Sequence, residues 1–450
     1  MRTKTLGLAD LIALEVGMTI GAGIFTYLPI ASSKAGNGTI FALIIAAVPM
    51  LFILLNLMIV GSILPTTGGT FKYGAYLFSP TFSFVGLWIY LFGAFVGFFP
   101  LTALTLSKYL KIIWQNIPLI PFAILILTVF YVINVFGIKI ASRFEIVFVA
   151  TLFISLFVYV LFGLQNVKPV NLDGIFSHSI DGVLYSAALL TFIFLGSNAV
   201  LEVGGEIKNA RRNMPLSVII SFIVVLIIYL AIAFVTFGVA SPEVSAEGTL
   251  NAVATRFLEG FFYYFFTFGG PVLAIVTSIN ATYMWGSRSL IALSRMGIIP
   301  SRLSRLNRWG TPFFLITSIW IVSCISLVII GEEGLDIFAL FASIGGVAIL
   351  IPSIIALTRI NKFSKLQKLI PGYVKKKWFT FLPWLGILFS IIIFILLIYQ
   401  LLTEHNLYYL IGLFVWIASG LIYIKMRRKY LKSKDKDPFE KEVSSELFIE

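Results

Sequence analysis

The chain has 450 residues, of which 59% are hydrophobic and 12% charged, and its formal net charge is +13. Water-soluble domains carry roughly 25% charged residues, so a soluble globular fold is excluded. The apolar residues lie in runs that are apolar on every face, which also excludes the in-out alternation of a membrane β-barrel.

Twelve intervals of 18 residues or more contain no Lys, Arg, Asp or Glu: 16–33, 35–71, 73–107, 112–138, 146–167, 182–201, 213–242, 260–287, 309–331, 337–358, 378–403 and 406–424. Each is long enough to cross a hydrocarbon core of roughly 30 Å as a helix. The pattern predicts an all-α membrane protein of twelve transmembrane helices, one membrane domain over 1–425 with a charged tail at 426–450. Starting from a cytoplasmic N-terminus, the inside segments hold 28 of the 33 Lys and Arg residues. This asymmetry predicts a multi-pass protein of the cell membrane with both termini cytoplasmic. It assigns the basic surplus to anionic lipid and not to nucleic acid.

The first run carries VGMTIGAGIFTYLP, residues 16–29. Gly17 and Gly21, four apart, suit close packing between helices. Gly21 and Gly23, two apart, cannot both face one neighbour, and the β-branched Thr19, Ile20 and Ile24 surround them. The stretch is predicted to leave helical geometry for a few residues, which membrane depth tolerates only where backbone lines a cavity or is covered by protein. Bared N–H and C=O groups there, with the half-helix dipoles, can hold an ammonium, a carboxylate or a cation without a charged side chain.

The sixth run, continued to its polar end, reads TFIFLGSNAVLEVGGEIKNARRNMP, residues 191–215, with Gly196-Ser197-Asn198 in mid-span where helix propensity is poor. The 175 residues between Gly21 and Gly196 are the separation expected of a five-span repeat followed by its inverted copy. Repeat one then covers about 6–165 and repeat two about 180–360, with two further helices at about 380–425.

Few other groups at membrane depth carry chemistry. His178 and His405 fall outside the apolar runs, no Cys/His cluster could hold zinc, and the single Cys324 can form no intrachain disulfide. No enzyme activity, metal or cofactor is therefore expected. A carboxylate inside a membrane is a functional candidate by default. Glu15 lies six residues before Gly21 and Glu202 six after Gly196, which puts both about 9 Å to the cytoplasmic side of their breaks. They are candidates for a gate, a cation site or a proton relay; the plainer alternative pairs each with an arginine or leaves it solvated in a wide inner mouth. Glu206, beside Lys208, Arg211 and Arg212, reads as an interfacial salt bridge.

Five motifs occur in order: IGAGIF (20–25) in the first span, PTTGGTFKYG (65–74) after the second, and NVFGIKIAS (134–142) after the fourth. GEIKNARRNMP (205–215) closes the sixth and NATYMWGSRSLIALSRMGIIP (280–300) the eighth. Together they resemble the amino acid–polyamine–organocation permeases. The resemblance implies a five-plus-five inverted repeat with broken helices 1 and 6, plus helices 11 and 12. It implies a secondary transporter that works by alternating access and holds an amino acid between the breaks. On that likeness, the backbone at Ile20, Gly21, Ala22, Gly23 and Ile24 meets the substrate's α-carboxylate and α-amino groups. Phe194, Leu195, Gly196, Ser197 and Asn198 meet its amine and side chain. Many relatives carry an aromatic and then an acid after the sixth-span glycine, where this chain has Ser197 and Asn198; a neutral or small side chain is favoured over a cation. A polyamine or other organic cation on the same scaffold, and exchange instead of net uptake, are the alternatives.

The resemblance leaves the coupling ion, H⁺ or Na⁺, open. The fifth-span lysine of some relatives is absent from 146–167, where Ser155 falls near its place. Thr277 and Ser278 in the eighth span match the hydroxyls of sodium-coupled members. Some relatives join a single-span glycoprotein through a cysteine in an outside loop, whereas Cys324 lies within a span. The expected partners are an amino acid and membrane lipid.

Overall fold

A computed structural model describes residues 6–66, 68–137, 142–172, 179–240, 249–300, 305–363 and 381–437, with a few isolated neighbours. His178, the tail from 441, and parts of PTTGGTFKYG and NVFGIKIAS lie outside the described residues.

Lipid offers no hydrogen bonds, so a chain this apolar must pair its backbone within each span. Among the described residues there is no strand, and ten helical runs are long and apolar enough to cross a membrane. The chain opens with α1 (Leu8–Thr19) and α2 (Ala22–Ala35), which are separated at Ile20–Gly21. A turn at Gly36, with φ of 50°, precedes α3 (Thr39–Ile63). The short α4 (Gly69–Leu77) leads to α5 (Pro80–Phe92), a π-helical segment (Gly93–Phe98) and α6 (Phe99–Lys111). Next come α7 (Leu119–Val135), α8 (Ser142–Leu164), the short α9 (Pro169–Leu172) and α10 (Ile180–Leu190), which runs into a 3-10 helix over Thr191–Glu202. The second half holds α11 (Ala210–Val239), the short α12 (Leu250–Ala254), α13 (Gly260–Thr267), a π segment (Phe268–Val272) and α14 (Leu273–Arg295). It ends with α15 (Phe313–Ile330), α16 (Leu335–Arg359), α17 (Leu382–Glu404) and α18 (Leu407–Lys432).

Small residues set the tightest packing. A Cβ on Gly97 would lie 2.6 Å from the Ala342 nitrogen, and one on Gly93 would lie 2.5 Å from the Phe341 carbonyl oxygen. The π segment therefore rests backbone-to-backbone on α16, the most enclosed of the long runs. By contrast α8 and α18 keep most of their apolar surface outward, as lipid-facing helices do.

Both ends of the described chain are tied down. The Leu6 amide donates to Glu206 O at 3.1 Å and the Lys208 amide donates to Leu6 O at 2.9 Å, an isolated parallel bridge just before α11. Arg427 donates to Gly297 O and Tyr423 to Ile298 O, each at 2.9 Å, which fixes α18 against the end of α14. Beyond α18, Asp437 folds back to pair with Arg428 at 3.0 Å.

Candidate functional site

The first span leaves helical geometry where IGAGIF predicts it. Ile20 has φ −82° and ψ 78°, Gly21 has φ −122° and ψ −143°, and α2 restarts at Ala22. The last carbonyls of α1 and the first amides of α2 thus meet at one joint, and helix ends leave such groups without intrahelical partners. Some are already used: the Gly21 amide donates to Thr19 O at 3.0 Å, and the Ala22 amide donates to Ser278 Oγ at 2.9 Å.

The glycines at the joint face different neighbours, as their two-residue spacing requires. A Cβ on Gly21 would lie 2.5 Å from Ser278 Oγ on α14, and one on Gly23 would lie 3.3 Å from Ile193 Cγ2 in the 3-10 helix. Gly17 faces Val149 on α8 at 3.6 Å.

The sixth run departs from α geometry in another form. The sequence predicts unwinding at Gly196–Asn198; the chain instead keeps turning, as a 3-10 helix through all twelve residues from Thr191 to Glu202. Gly-Ser-Asn supports an α-helix poorly, and the Thr191 hydroxyl bonds back to Ala188 O at 2.6 Å at the changeover. The i→i+3 bonds of a 3-10 helix keep the backbone paired at membrane depth, which an open stretch would not. Gly196 is small for a reason the chain alone does not reveal. A Cβ there would collide with Thr19 Cα and lie 2.5 Å from the Met18 carbonyl carbon, so the two spans touch backbone to backbone.

Hydroxyls stitch this contact together. Thr19 Oγ1 and Ser197 Oγ are 3.2 Å apart, and both residues are buried. Tyr229 on α11, fully buried, donates from its hydroxyl to Thr19 O at 2.8 Å and reaches Ile193 O at 3.3 Å. It thereby binds the carbonyls of both modified spans. Aromatic side chains surround the contact. Phe194 lies against Phe222 with centroids 5.1 Å apart, and Phe192 stacks on Tyr27 at 4.8 Å. Ile20, Gly21, Ala22, Gly23, Ile24, Phe194, Leu195 and Ser197 are buried, while Gly196 and Asn198 are partly exposed.

The two candidate carboxylates lie in different surroundings. Glu15, with no exposed surface, accepts from Ser217 Oγ at 3.0 Å and Ser221 Oγ at 2.5 Å, both on α11. Glu202 lies against Thr70 and near Lys72, and its carbonyl accepts from the Gly68 amide at 3.4 Å. Of the two eighth-span hydroxyls, only Ser278 reaches the joint; Thr277 donates to Leu273 O and Ala274 O within its own helix. Ser155 likewise bonds back to Leu152 O at 2.8 Å. Among the described residues, no cluster of His, Cys, Asp and Glu could hold a metal ion.

The sequence reading missed Tyr229, Ser217 and Ser221. Their signal is visible afterwards: Ser217 and Ser221 are four apart on one face of an apolar helix, and Tyr229 brings a hydroxyl into the middle of the seventh span.

A family profile described as amino acid permease matches residues 6–419. The chain belongs to the amino acid permease family. This permease-family chain is 23% identical over 452 residues to the branched-chain amino acid permease BcaP of Bacillus subtilis (strain 168), covering 94% of this chain and 95% of that one. It is 24% identical over 366 residues to the methylthioribose transporter of the same organism, with 77% and 78% covered. It is 23% identical over 413 residues to that organism's gamma-aminobutyric acid permease, with 86% of each covered. The amino acid permease assignment agrees with the resemblance carried by the five motifs.

Proposed function

We propose that this family member is a secondary active transporter that carries an amino acid with a neutral, largely apolar side chain by alternating access. The observation that carries the reading is the joint at Ile20–Gly21, packed against the modified sixth span. An amino acid zwitterion has opposite needs at its two charged groups. The carbonyl end of α1 suits an ammonium, and the amide end of α2, where Gly23 and Ile24 have no i−4 partner inside the helix, suits a carboxylate. Phe192, Phe194 and Leu195 offer apolar surface beside the joint, and no acid stands at 197–198 to favour a polyamine. Two of the three relatives above are named for amino acids.

Twelve crossings follow if the 42-residue run Ala22–Ile63 is divided at Gly36 and α7 is counted, with α1 and α2 making the first. Crossings one to five and six to ten are then the inverted repeats, and both termini are cytoplasmic.

A thermal-shift panel of amino acids and amines on purified protein tests the reading. Neutral apolar amino acids are expected to raise the melting temperature, since a ligand at a hundred times its Kd stabilises the fold by about 2.7 kcal/mol. Stabilisation by polyamines alone would replace this reading with an organic-cation permease.

A further inference from the structure

We propose that Glu15 is the proton-binding group through which transport draws on a pH gradient, an inference that rests on the transport function above. The carboxyl group sits on α1, four residues before Thr19 at the joint, and has no exposed surface. A carboxylate held at membrane depth for purely structural reasons would be expected beside a cation. Glu15 has two serine hydroxyls instead, Ser217 at 3.0 Å and Ser221 at 2.5 Å, one for each carboxylate oxygen.

The charged and titratable groups on the elements packed against α1 are otherwise engaged or remote. Asp10 on α1 caps the Gly7 amide at 2.8 Å, and Tyr229 on α11 is committed to Thr19 O. Arg211 and Arg212 lie in the first turn of α11, and Glu202 in the 3-10 helix is near Lys72. On α8, Tyr159 faces Thr236 at 2.9 Å, and the side chains of Arg143 and Glu145 lie outside the described residues. Among the described residues, no cation is within ion-pair distance of Glu15.

The serines suit both protonation states. With Glu15 ionised, both hydroxyls donate to it. With Glu15 protonated, its O–H donates to one serine oxygen, whose own proton turns to a carbonyl already close by: Met214 O at 3.0 Å from Ser217 Oγ, or Val218 O at 3.3 Å from Ser221 Oγ. An unpaired buried carboxylate would strongly oppose the closed contact of α1 with α11, whereas hydroxyls that can reverse direction let the carrier close loaded or empty. Glu15 lies about 6 Å along α1 from Thr19, so water admitted at the joint from one side reaches it. When α1 swings from α11 about the joint, it is wetted from the other side. The step is a proton transfer alone: carboxylate plus proton gives the acid on one face, and the acid returns the proton to water on the other.

Proteoliposomes loaded with a pH-sensitive dye provide the test. In the wild type, amino acid entry is expected to carry protons with it, and an imposed acid-outside gradient is expected to drive accumulation. Glu15→Gln is expected to lose accumulation driven by the gradient while exchange of internal for external amino acid stays within about threefold. Should that variant lose exchange as well, Ser221→Ala decides: it is expected to move the pH of half-maximal accumulation by about one unit. Amino acid entry without proton movement, dependence on sodium alone, full accumulation by Glu15→Gln, or an unmoved pH midpoint in Ser221→Ala would each overturn the proposal. Wild-type protein that takes up no amino acid would remove the transport function itself, and the inference with it.

Discussion

Gly196→Ala is expected to reduce saturable amino acid uptake by about a hundredfold or more while the chain still inserts in the membrane. The added methyl group meets backbone atoms of Met18 and Thr19, which cannot rotate away as a side-chain tip would. Overpacking costs about 1–3 kcal/mol even where neighbours adjust, and backbone adjusts least. Here the spans would be forced apart at the contact that places the Thr19 hydroxyl beside that of Ser197. The comparison is uptake rate against the amount of full-length protein in the membrane. Normal uptake per molecule would mean that the apposition of the first and sixth spans is not the functional geometry.

Tyr229→Phe is expected to weaken transport by up to about tenfold with little change in protein abundance. The phenyl ring keeps its packing beside Phe194, whose centroid lies 5.7 Å away, so what is lost is the hydroxyl. Without it, Thr19 O keeps the Gly21 amide as a donor, but the shared hydroxyl that ties it to Ile193 O is gone, and a hydrogen bond of this kind contributes about 0.5–1.5 kcal/mol. The loss falls on the fixed relation between the two carbonyls, so apparent substrate affinity should suffer more than folding. Unchanged affinity together with a lower melting temperature would reduce Tyr229 to a structural support.

These expectations show where a sequence can be read and where it cannot. The spans were legible because lipid imposes a local rule: each crossing must be apolar and must pair its own backbone. IGAGIF was legible for a related reason, since glycines two apart cannot serve one interface, and Gly21 and Gly23 indeed face Ser278 and Ile193. Gly196 was legible as a departure from α-helix but not as a 3-10 helix. Its conformation depends on Met18 and Thr19, nearly 180 residues earlier, and no local pattern reports such a contact. Ser278 was picked out as a cation ligand; its oxygen accepts from the Ala22 amide, a capping role that appears only once α14 and α2 are side by side. Glu15 stands out in the sequence by its charge and by its place six residues before Gly21. Its partners Ser217 and Ser221 passed unremarked because serine in an apolar helix usually bonds its own backbone.

The most direct measurement of the central claim joins the two spans chemically. Thr19→Cys and Ser197→Cys, combined in a Cys324→Ser chain, place two thiols where the hydroxyls are 3.2 Å apart. Oxidation is expected to form a disulfide that stops uptake, reductant to restore it, and a saturating transported amino acid to slow the bond's formation by holding the segments apart. A bond that forms equally fast with and without the amino acid, or that leaves uptake intact, would contradict the account.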